Sequence, residues 1–143
     1  MLDIGIKLLH PAAVVPEFKT DGAAAVDLVC PVDVVLEGLY STAVPTGISI
    51  EIPDTHFAVI AIRSGLAGKG IMLTNGIGVI DSDYRGELIV LLYNIDDWDK
   101  EIQAGSRIAQ LFFLQKTPFS FSVKNELSTT QRGSGGFGST GLI

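Results

Sequence analysis

The chain has 143 residues, a length typical of one domain that can bury a core without disulfides or metals. Its net charge of -6 argues against binding to a nucleic-acid polymer, because such binding depends on many lysine and arginine contacts to phosphate. A small phosphate ligand needs only a few cations and stays possible. Hydrophobic residues make up 47% of the chain, which predicts that part of the surface is buried in an oligomer.

The sequence favours an intracellular protein. Cys30 is the single cysteine, so no disulfide can form within the chain, as expected in a reducing compartment. It is interpreted as a small core residue because no histidine lies near it to activate a thiolate. The N-terminus does not resemble a signal peptide, and no apolar stretch reaches 18 residues. We expect a location in the cytoplasm, that of the host if the source is viral, and no membrane contact.

The hydrophobic pattern predicts an all-β fold. Short apolar runs alternate with Gly, Pro and Asp, and no stretch of ten residues or more has a helical period, which is typical of a β-sandwich or barrel. A single helical turn is expected at Gly65 to Lys69, with Ser64 as its N-cap. Strands are expected at 4–9, 25–29, 32–36, 47–52, 56–62, 70–74, 87–94, 107–115 and 119–123.

Two of these strands carry further expectations. Residues 47–52 alternate between apolar and polar positions, which predicts a strand that is buried on one face. Residues 89–93 are apolar throughout, which predicts burial on both faces, by the core and by a neighbour.

The composition changes near residue 126. Residues 126–143 are rich in Ser, Thr and Gly, so we expect a barrel domain at 1–125 and a flexible arm at 126–143. The arm also contains Arg132 and Phe137. Backbone N–H groups of a glycine-rich run can surround a phosphate, the arginine can pair with it, and the aromatic ring offers a stacking face.

Arginine and aspartate positions indicate phosphate chemistry. All four arginines lie in segments that contain glycine, where a guanidinium and backbone amides can approach one anion. A second segment, 78–87, ends an apolar run at Asp81 and enters a new strand at Glu87. A carboxylate fixed at a strand end can activate a water molecule, and the same sequence also suits an ordinary hairpin turn.

These segments together resemble the trimeric dUTPase family over nearly the whole chain. Five motifs occur in the order and at the spacing of that family, and their joint occurrence is what makes the resemblance specific. They are Ala24-Ala25-Val26-Asp27-Leu28, Arg63-Ser64-Gly65-Leu66-Ala67, the segment from Asn75 through Gly78 to Gly86, Gly105-Ser106-Arg107-Ile108-Ala109-Gln110-Leu111, and the segment from Arg132 to Gly141.

The resemblance implies a distorted β-barrel of jelly-roll type that assembles as a threefold homotrimer, with three active sites at subunit interfaces. It also implies Mg²⁺-dependent hydrolysis of dUTP to dUMP and pyrophosphate, which would limit uracil in DNA and supply dUMP for dTMP synthesis. The glycine-rich arm would close over the bound nucleotide, which makes a flexible tail functional as well.

The resemblance also assigns roles to residues of the central hairpin. Asp81 would position and activate the water that attacks the α-phosphorus, and would hydrogen-bond the deoxyribose 3′-hydroxyl. Tyr84 would pack under the sugar and leave no room for a 2′-hydroxyl. The uracil edge would be read by Asn75 and by the backbone of the hairpin, which includes Val79, Ile80 and Ile89.

Other residues would bind the phosphates and the metal. Asp27 would hold a water of the Mg²⁺ shell, and Mg²⁺ suits such a site because it prefers phosphate oxygens and keeps several waters. The phosphates would be contacted by Arg63, Ser64 and Gly65 from a neighbouring subunit, by Gln110, and by Arg132, Gly138, Ser139 and Thr140 of the arm, while Phe137 would stack on uracil.

The sequence departs from the family at two positions. Ile62 stands where a proline usually precedes Arg63, which affects the loop more than the chemistry. Ser106 stands where the fourth motif usually has an aspartate that orients an arginine. Arg107 is therefore interpreted as structural, and whether another carboxylate takes over stays open.

Two other functions remain possible. A dCTP deaminase on the same fold would need a catalytic glutamate and would release ammonia. A dUTPase-like regulatory protein that binds nucleotide should have lost Asp81, Tyr84 or the arm, and all are present. A P-loop is excluded because no Gly-Lys-Ser/Thr follows the C-terminal glycines.

Overall fold

The structure is a computed structural model that describes residues 1–137 and 139. Its described part is all-β, as expected, apart from one helical turn. The strands are β1 (Gly5–Leu8), β2 (Val26–Val29), β3 (Val34–Leu36), β4 (Ser41–Pro45), β5 (Ile48–Glu51), β6 (His56–Ala61), β7 (Ile71–Leu73), β8 (Gly78–Ile80), β9 (Ile89–Asn94), β10 (Lys100–Ile102) and β11 (Arg107–Gln115), and the helix is α1 (Ser64–Ala67).

All strand pairs are antiparallel, and they form four small sheets around one core. The sheets have the orders β1-β5, β10-β3, β2-β11-β6-β8 and β4-β9-β7. The core between them consists of short-chain and branched aliphatic side chains, among which Leu28, Leu36, Ile48, Leu88, Leu92 and Ile108 are the largest that are fully buried. These residues come from nearly every sheet, so the sheets close on one another as in a barrel.

Most predicted strands are present, and the errors have local causes. The strand expected at 119–123 is wrong: the last strand ends at Gln115, and the residues from 116 to 134 are exposed without strand pairing. An alternating pattern cannot form a strand where the chain offers no partner edge. The strands β4 and β10 were not expected, because Pro45 and the acidic residues around Lys100 weaken the local β signal.

One detailed expectation is wrong, and a second is met only on the core face of its strand. Ile48, Ser49 and Ile50 are all buried, so β5 is covered on both faces and not on one. The polar Ser49 tolerates this because its hydroxyl donates to the carbonyl of Arg85 at 3.0 Å. In β9 burial alternates, and within the single chain Ile89 and Leu91 remain 40% exposed.

The described part of the chain contains no helix that is long and apolar enough to cross a membrane.

Candidate active site

Three neighbouring strands bring residues of three motifs together at one end of the largest sheet. The Cα atoms of Asp27 in β2 and Gln110 in β11 are in register, and Gln110 is also in register with Ala61 of β6. Two residues after Ala61 the chain reaches Arg63, which precedes α1. A bulge in β11 between Arg107 and Ala109 shifts the register beside β2. The sheet therefore places a carboxylate, an amide and two guanidinium groups close to one another.

The carboxylate of Asp27 is shared by two arginines. Its Oδ1 lies 2.8 Å from Nε of Arg63, and its Oδ2 accepts a hydrogen bond of 3.1 Å from Nη1 of Arg107. The Asp27 side chain is only 11% exposed, which strengthens both attractions. With one negative and two positive charges, this group, here called the Asp27 cluster, carries an excess positive charge that favours an anion.

The contact of Arg63 is ionic more than it is a hydrogen bond. Its Nε is buried, yet within the described residues no acceptor is aligned with its N–H. Its Nη1 reaches the carbonyl of Arg107 only at 3.5 Å, a long hydrogen bond. Most donors of this guanidinium thus remain available to a ligand.

In this chain Ser106 replaces the usual aspartate of the fourth motif, and the Asp27 cluster shows which carboxylate contacts the neighbouring arginine instead. The backbone of Ser106 accepts from the N–H of Cys30 at 2.9 Å, and Gly105 donates to the carbonyl of Cys30 at 2.8 Å, so the loop is fixed against β2 without a side-chain carboxylate. The carboxylate that contacts Arg107 comes from Asp27. Arg107 pairs with Asp27, and its structural role stays a prediction.

The helical turn begins one residue earlier than expected. Arg63 is the N-cap in an extended conformation, Ser64 is the first helical residue, and no side chain caps the helix, so the prediction of Ser64 as the N-cap is wrong. The N–H groups of Ser64 and Gly65 lie in the first turn, where a helix provides them with no acceptor. The hydroxyl of Ser64 is exposed beside them.

The second set of predicted residues lies on the two turns around β8 and at the start of β9. Gly76, at a φ of 71°, allows the tight turn in which Ile77 donates to the carbonyl of Asn75 at 2.8 Å. Asp81 immediately follows β8, as expected, and is exposed. Three side chains of this set present apolar surface to solvent, namely Val79 in β8, Tyr84 in the turn and Ile89 at the start of β9.

The turn that holds Tyr84 is fixed at both ends. The N–H of Tyr84 donates to the carbonyl of Asp81 at 3.2 Å, and its hydroxyl donates to the carbonyl of Glu87 at 3.0 Å. Glu87 in turn accepts from the N–H of Gly47 at 2.7 Å, which ties the turn to the start of β5. The role of Glu87 was not inferred from the sequence, because nothing in a Gly-Glu pair indicates which backbone amide it will meet.

Within one chain the two sets of residues are far apart. Ile80 is in register with Ala58 of β6, and Asp81 continues past that end of the pairing. Arg63 lies beyond the opposite end of β6, five residues after Ala58, which corresponds to roughly 17 Å of extended chain. Asp81 and the Asp27 cluster therefore do not meet in a single chain.

The predicted arm residues lie outside both sets. Arg132 is exposed, and its Nε donates to the carbonyl of Gly135 at 3.0 Å; Phe137 is exposed as well. Ser139 donates its N–H to Gly136 at 3.0 Å. Gly138 and Thr140 lie outside the described residues.

Cys30 is a core residue, as expected. It is fully buried, its thiol lies 3.0 Å from the carbonyl of Val32, and burial raises the pKa of the thiol. A nucleophilic role would require the opposite shift.

Two clefts of the single chain lie elsewhere. One of about 540 Å³ is lined by the acidic residues Asp3, Glu51, Asp54 and Asp83, together with Ser82 and Arg85. Another, of about 630 Å³, is apolar and runs between β1 and β11. Asp27, Arg63, Asp81 and Gln110 line neither of them. The part of the chain that the structure describes contains no cluster of three or more His, Cys, Asp or Glu side chains that could hold a metal ion.

Known proteins match this chain over almost its full length. The model of the dUTPase family matches residues 12–141. The deoxyuridine 5′-triphosphate nucleotidohydrolase of Paramecium bursaria Chlorella virus 1 is 46% identical over 143 residues, covering 99% of this chain and all of that protein.

Solved structures share the fold. The dUTPase of Staphylococcus bacteriophage 80alpha with dUPNHPP has a TM-score of 0.87 and 26% identity, with 98% of this chain and 99% of that chain covered. A mutant dUTPase of phage phi11 of S. aureus, which coordinates a structural Mg(II) ion, has a TM-score of 0.79 and 21% identity, with 87% and 97% covered. With a family model across nine-tenths of its length and a relative this similar, the chain belongs to the dUTPase family.

Proposed function

We propose that this protein hydrolyses dUTP to dUMP and pyrophosphate, and so limits uracil in DNA and supplies dUMP for dTMP synthesis. The observation that carries the proposal is the contrast between two motif carboxylates, those of Asp27 and Asp81. Asp27 is paired with two arginines, whereas Asp81 is exposed and, among the described residues, forms no ion pair. An unpaired carboxylate can accept a proton, and a paired one can orient the cations that bind phosphate.

In the proposed reaction Asp81 accepts a proton from a water molecule whose oxygen attacks the α-phosphorus. The new bond joins that oxygen to phosphorus, the bond to the bridging oxygen breaks, and pyrophosphate leaves with its electron pair. Asp81 also accepts from the sugar 3′-hydroxyl, and Tyr84 lies under the sugar. Asn75, Val79, Ile80 and Ile89 border the uracil, where polar groups placed for uracil would be left unpaired by cytosine.

The negative charge of the triphosphate is neutralised by the first set of residues. Arg63, with the hydroxyl of Ser64 and the N–H of Gly65, binds phosphate oxygens, and Gln110 reaches the α-phosphate. The excess positive charge of the Asp27 cluster supports this assignment.

A magnesium ion fits the same group through its substrate and not through a protein cage. Mg²⁺ keeps several waters and takes phosphate oxygens, so the absence of a cluster of protein ligands among the described residues is compatible with it. Each oxygen of Asp27 meets one arginine and keeps lone pairs that could accept from a metal-bound water. When bound, the ion would neutralise charge on the triphosphate.

We further propose a homotrimer in which each site combines two chains. Asp81 and Arg63 lie at opposite ends of β6, so a complete site requires Arg63 from one copy and Asp81 from another. The exposed apolar side chains of Ile89 and Leu91 offer surface for such an interface. With its fully buried, reduced cysteine, the protein suits the reducing cytoplasm.

The domain division is part of the proposal. A barrel at 1–125 carries the two sets of residues, and an arm at 126–143 closes over the bound nucleotide, with Arg132 on the γ-phosphate and Phe137 on the uracil. Ser139, with Gly138 and Thr140, adds phosphate contacts. The exposure of Arg132 and Phe137 supports this role, since neither is occupied in the core.

The test is pyrophosphate release from each dNTP and from UTP, measured with magnesium and again with EDTA. Release from dUTP alone, lost on chelation, is the expected result. Ammonia from dCTP would instead indicate a deaminase, and nucleotide binding without turnover would indicate a regulatory protein.

A further inference from the structure

The turn between β8 and β9 contains a glycine whose backbone does not require one. Gly86 does not have a φ in the left-handed region, so an L-residue could adopt its conformation. A Cβ built on Gly86 would overlap sterically with the hydroxyl oxygen of Tyr84 and would lie 2.6 Å from Cζ and 3.0 Å from Cε2 of the same ring. Carbon atoms in favourable contact are about 3.5–4.0 Å apart. The Tyr84 ring thus occupies the space that any side chain at position 86 would need.

Three hydrogen bonds keep the ring from moving aside freely. The Tyr84 hydroxyl donates to the carbonyl of Glu87 at 3.0 Å. The next residue, Leu88, donates its N–H to Ile48 at 2.9 Å and accepts from the hydroxyl of Thr46 at 2.7 Å. Leu88 is fully buried, so the acceptor of the Tyr84 hydroxyl belongs to a segment anchored in the core.

The Tyr84 ring is covered on the side of Gly86 and remains partly exposed to solvent. Tyr84 is 45% exposed, although Gly86 lies directly against it. A side chain at position 86 would push the ring away from the turn, towards its exposed side.

We propose that Gly86 is a positioning residue that sets how deeply the Tyr84 ring lies in the sugar pocket. This inference rests on the proposed function, in which the exposed side of Tyr84 contacts the deoxyribose. The absence of a side chain at position 86 allows the ring to lie back against the turn. A methyl group there displaces the ring by about 1 Å, to restore ordinary contact distances, and narrows the pocket by the same amount.

The experiment is a double-mutant cycle with Gly86→Ala, Tyr84→Ala and the double variant, assayed for KM and kcat with dUTP and for activity with UTP. In the wild-type background G86A raises the KM for dUTP about tenfold and changes kcat less, because the turn that carries Asp81 keeps its hydrogen bond to the Tyr84 N–H. In the Y84A background G86A has no further effect on KM, because the ring it would displace is gone.

Gly22→Ala is the matched control. Gly22 lies outside the five motifs, has no positive φ, and a Cβ there meets nothing within 4 Å, so its KM should equal that of the wild type. Melting temperatures complete the cycle. If G86A unfolds but the double variant folds, the ring contact is confirmed by stability; an equal loss of stability in both backgrounds would show a backbone requirement and overturn the inference.

The two proposals fail in different ways. If the wild-type protein does not hydrolyse dUTP, the proposed function is wrong. If Y84A is no more active with UTP than the wild type is, the role of Tyr84 is wrong. If wild type and Y84A behave as expected and G86A has the KM of wild type, only the role of Gly86 is wrong.

Discussion

The Asp27 cluster and the turn around Asp81 are stabilised in opposite ways. The Asp27 cluster depends on side-chain charge, since one poorly exposed carboxylate holds two arginines, Arg107 of β11 and Arg63 at the N-cap of α1. The turn depends on hydrogen bonds that involve its backbone. These run from the N–H of Tyr84 to Asp81, from the N–H of Leu88 to Ile48, and from the Tyr84 hydroxyl to the carbonyl of Glu87, and they leave the carboxylate of Asp81 exposed. Under the proposed function, the group that binds the charged triphosphate is thus pre-oriented by charge, whereas the carboxylate that accepts a proton is left unpaired.

The comparison also shows that the Asp27 cluster is complete within one chain and lies apart from the turn around Asp81. The strands β2, β11 and β6 are neighbours in one sheet, so the Asp27 cluster forms without help. The strand β8 is the edge of that sheet, and its turn faces away from the cluster. Each group of residues is well defined within one chain, and in the proposed homotrimer a second copy brings the two groups together.

The largest expected effect is on the exposed carboxylate. Asp81→Asn keeps the size of the side chain and removes the proton acceptor, so kcat for dUTP should fall roughly a thousandfold. Oligomeric state and binding of a non-hydrolysable dUTP analogue should be unchanged, as measured by light scattering and calorimetry. Asp83→Asn, two residues away in the same turn and also exposed, is the control and should retain its turnover. Near-normal kcat in D81N would exclude the proposed role of Asp81.

Mixing two inactive variants tests whether the halves come from different chains. Arg63→Ala damages one half, and Asp81→Asn damages the other. After joint unfolding and refolding in equal amounts, about a quarter of the sites should combine an intact Arg63 from one copy with an intact Asp81 from another, and activity should recover to about that fraction. Activity that stays at the level of the separate variants would place both halves in one chain.

The arm provides a third group of residues and a smaller expected effect. A chain that ends after Gln131 lacks Arg132 and Phe137 and should lose roughly a hundredfold in kcat/KM for dUTP, because closure excludes water and adds a cation at the γ-phosphate. Its melting temperature should not change, since the arm residues that the structure describes contribute nothing to the core. The single variants Arg132→Ala and Phe137→Ala should divide the loss between them. Wild-type kinetics in the truncated chain would show that the arm has no role in turnover.

The sequence predicted β11 better than it predicted the other strands. The strand at 107–115 has the expected limits because it is long, apolar and paired on both sides, so local pattern and tertiary structure agree. Residues 119–123 alternate between apolar and polar positions, as a strand would, yet they form no strand within the chain. A hydrophobic period identifies a face that needs covering and does not identify the partner that covers it.

The residues of the candidate site were found through motifs, and their contacts were not. No pattern in the sequence indicates that Asp27 would meet Arg107 across a bulge, because the contact depends on the register of β2 and β11. The same limit applies to Gly86, which fits an ordinary turn, and whose contact with the Tyr84 ring appears only in three dimensions.

The smallest effect is expected at Asp27. Its two proposed roles, orienting the arginines and holding a metal-bound water, can be separated by measurements with and without magnesium. Asp27→Asn removes the negative charge between Arg63 and Arg107, so both guanidinium groups lose their orientation and kcat/KM for dUTP should fall about tenfold.

The informative measurement is the Kd of a non-hydrolysable dUTP analogue, with EDTA and with magnesium. Weaker binding in EDTA reports the orientation of the arginines, because no metal is present. A further weakening that occurs only with magnesium reports a metal-bound water on the carboxylate. A D27N variant that binds as tightly as the wild type in EDTA would remove the first role, and a loss of equal size in both conditions would remove the second. The control is Asp33→Asn, whose carboxylate accepts from the N–H of Ala104 at 2.7 Å, outside the Asp27 cluster, and which should bind the analogue with the wild-type Kd in both conditions.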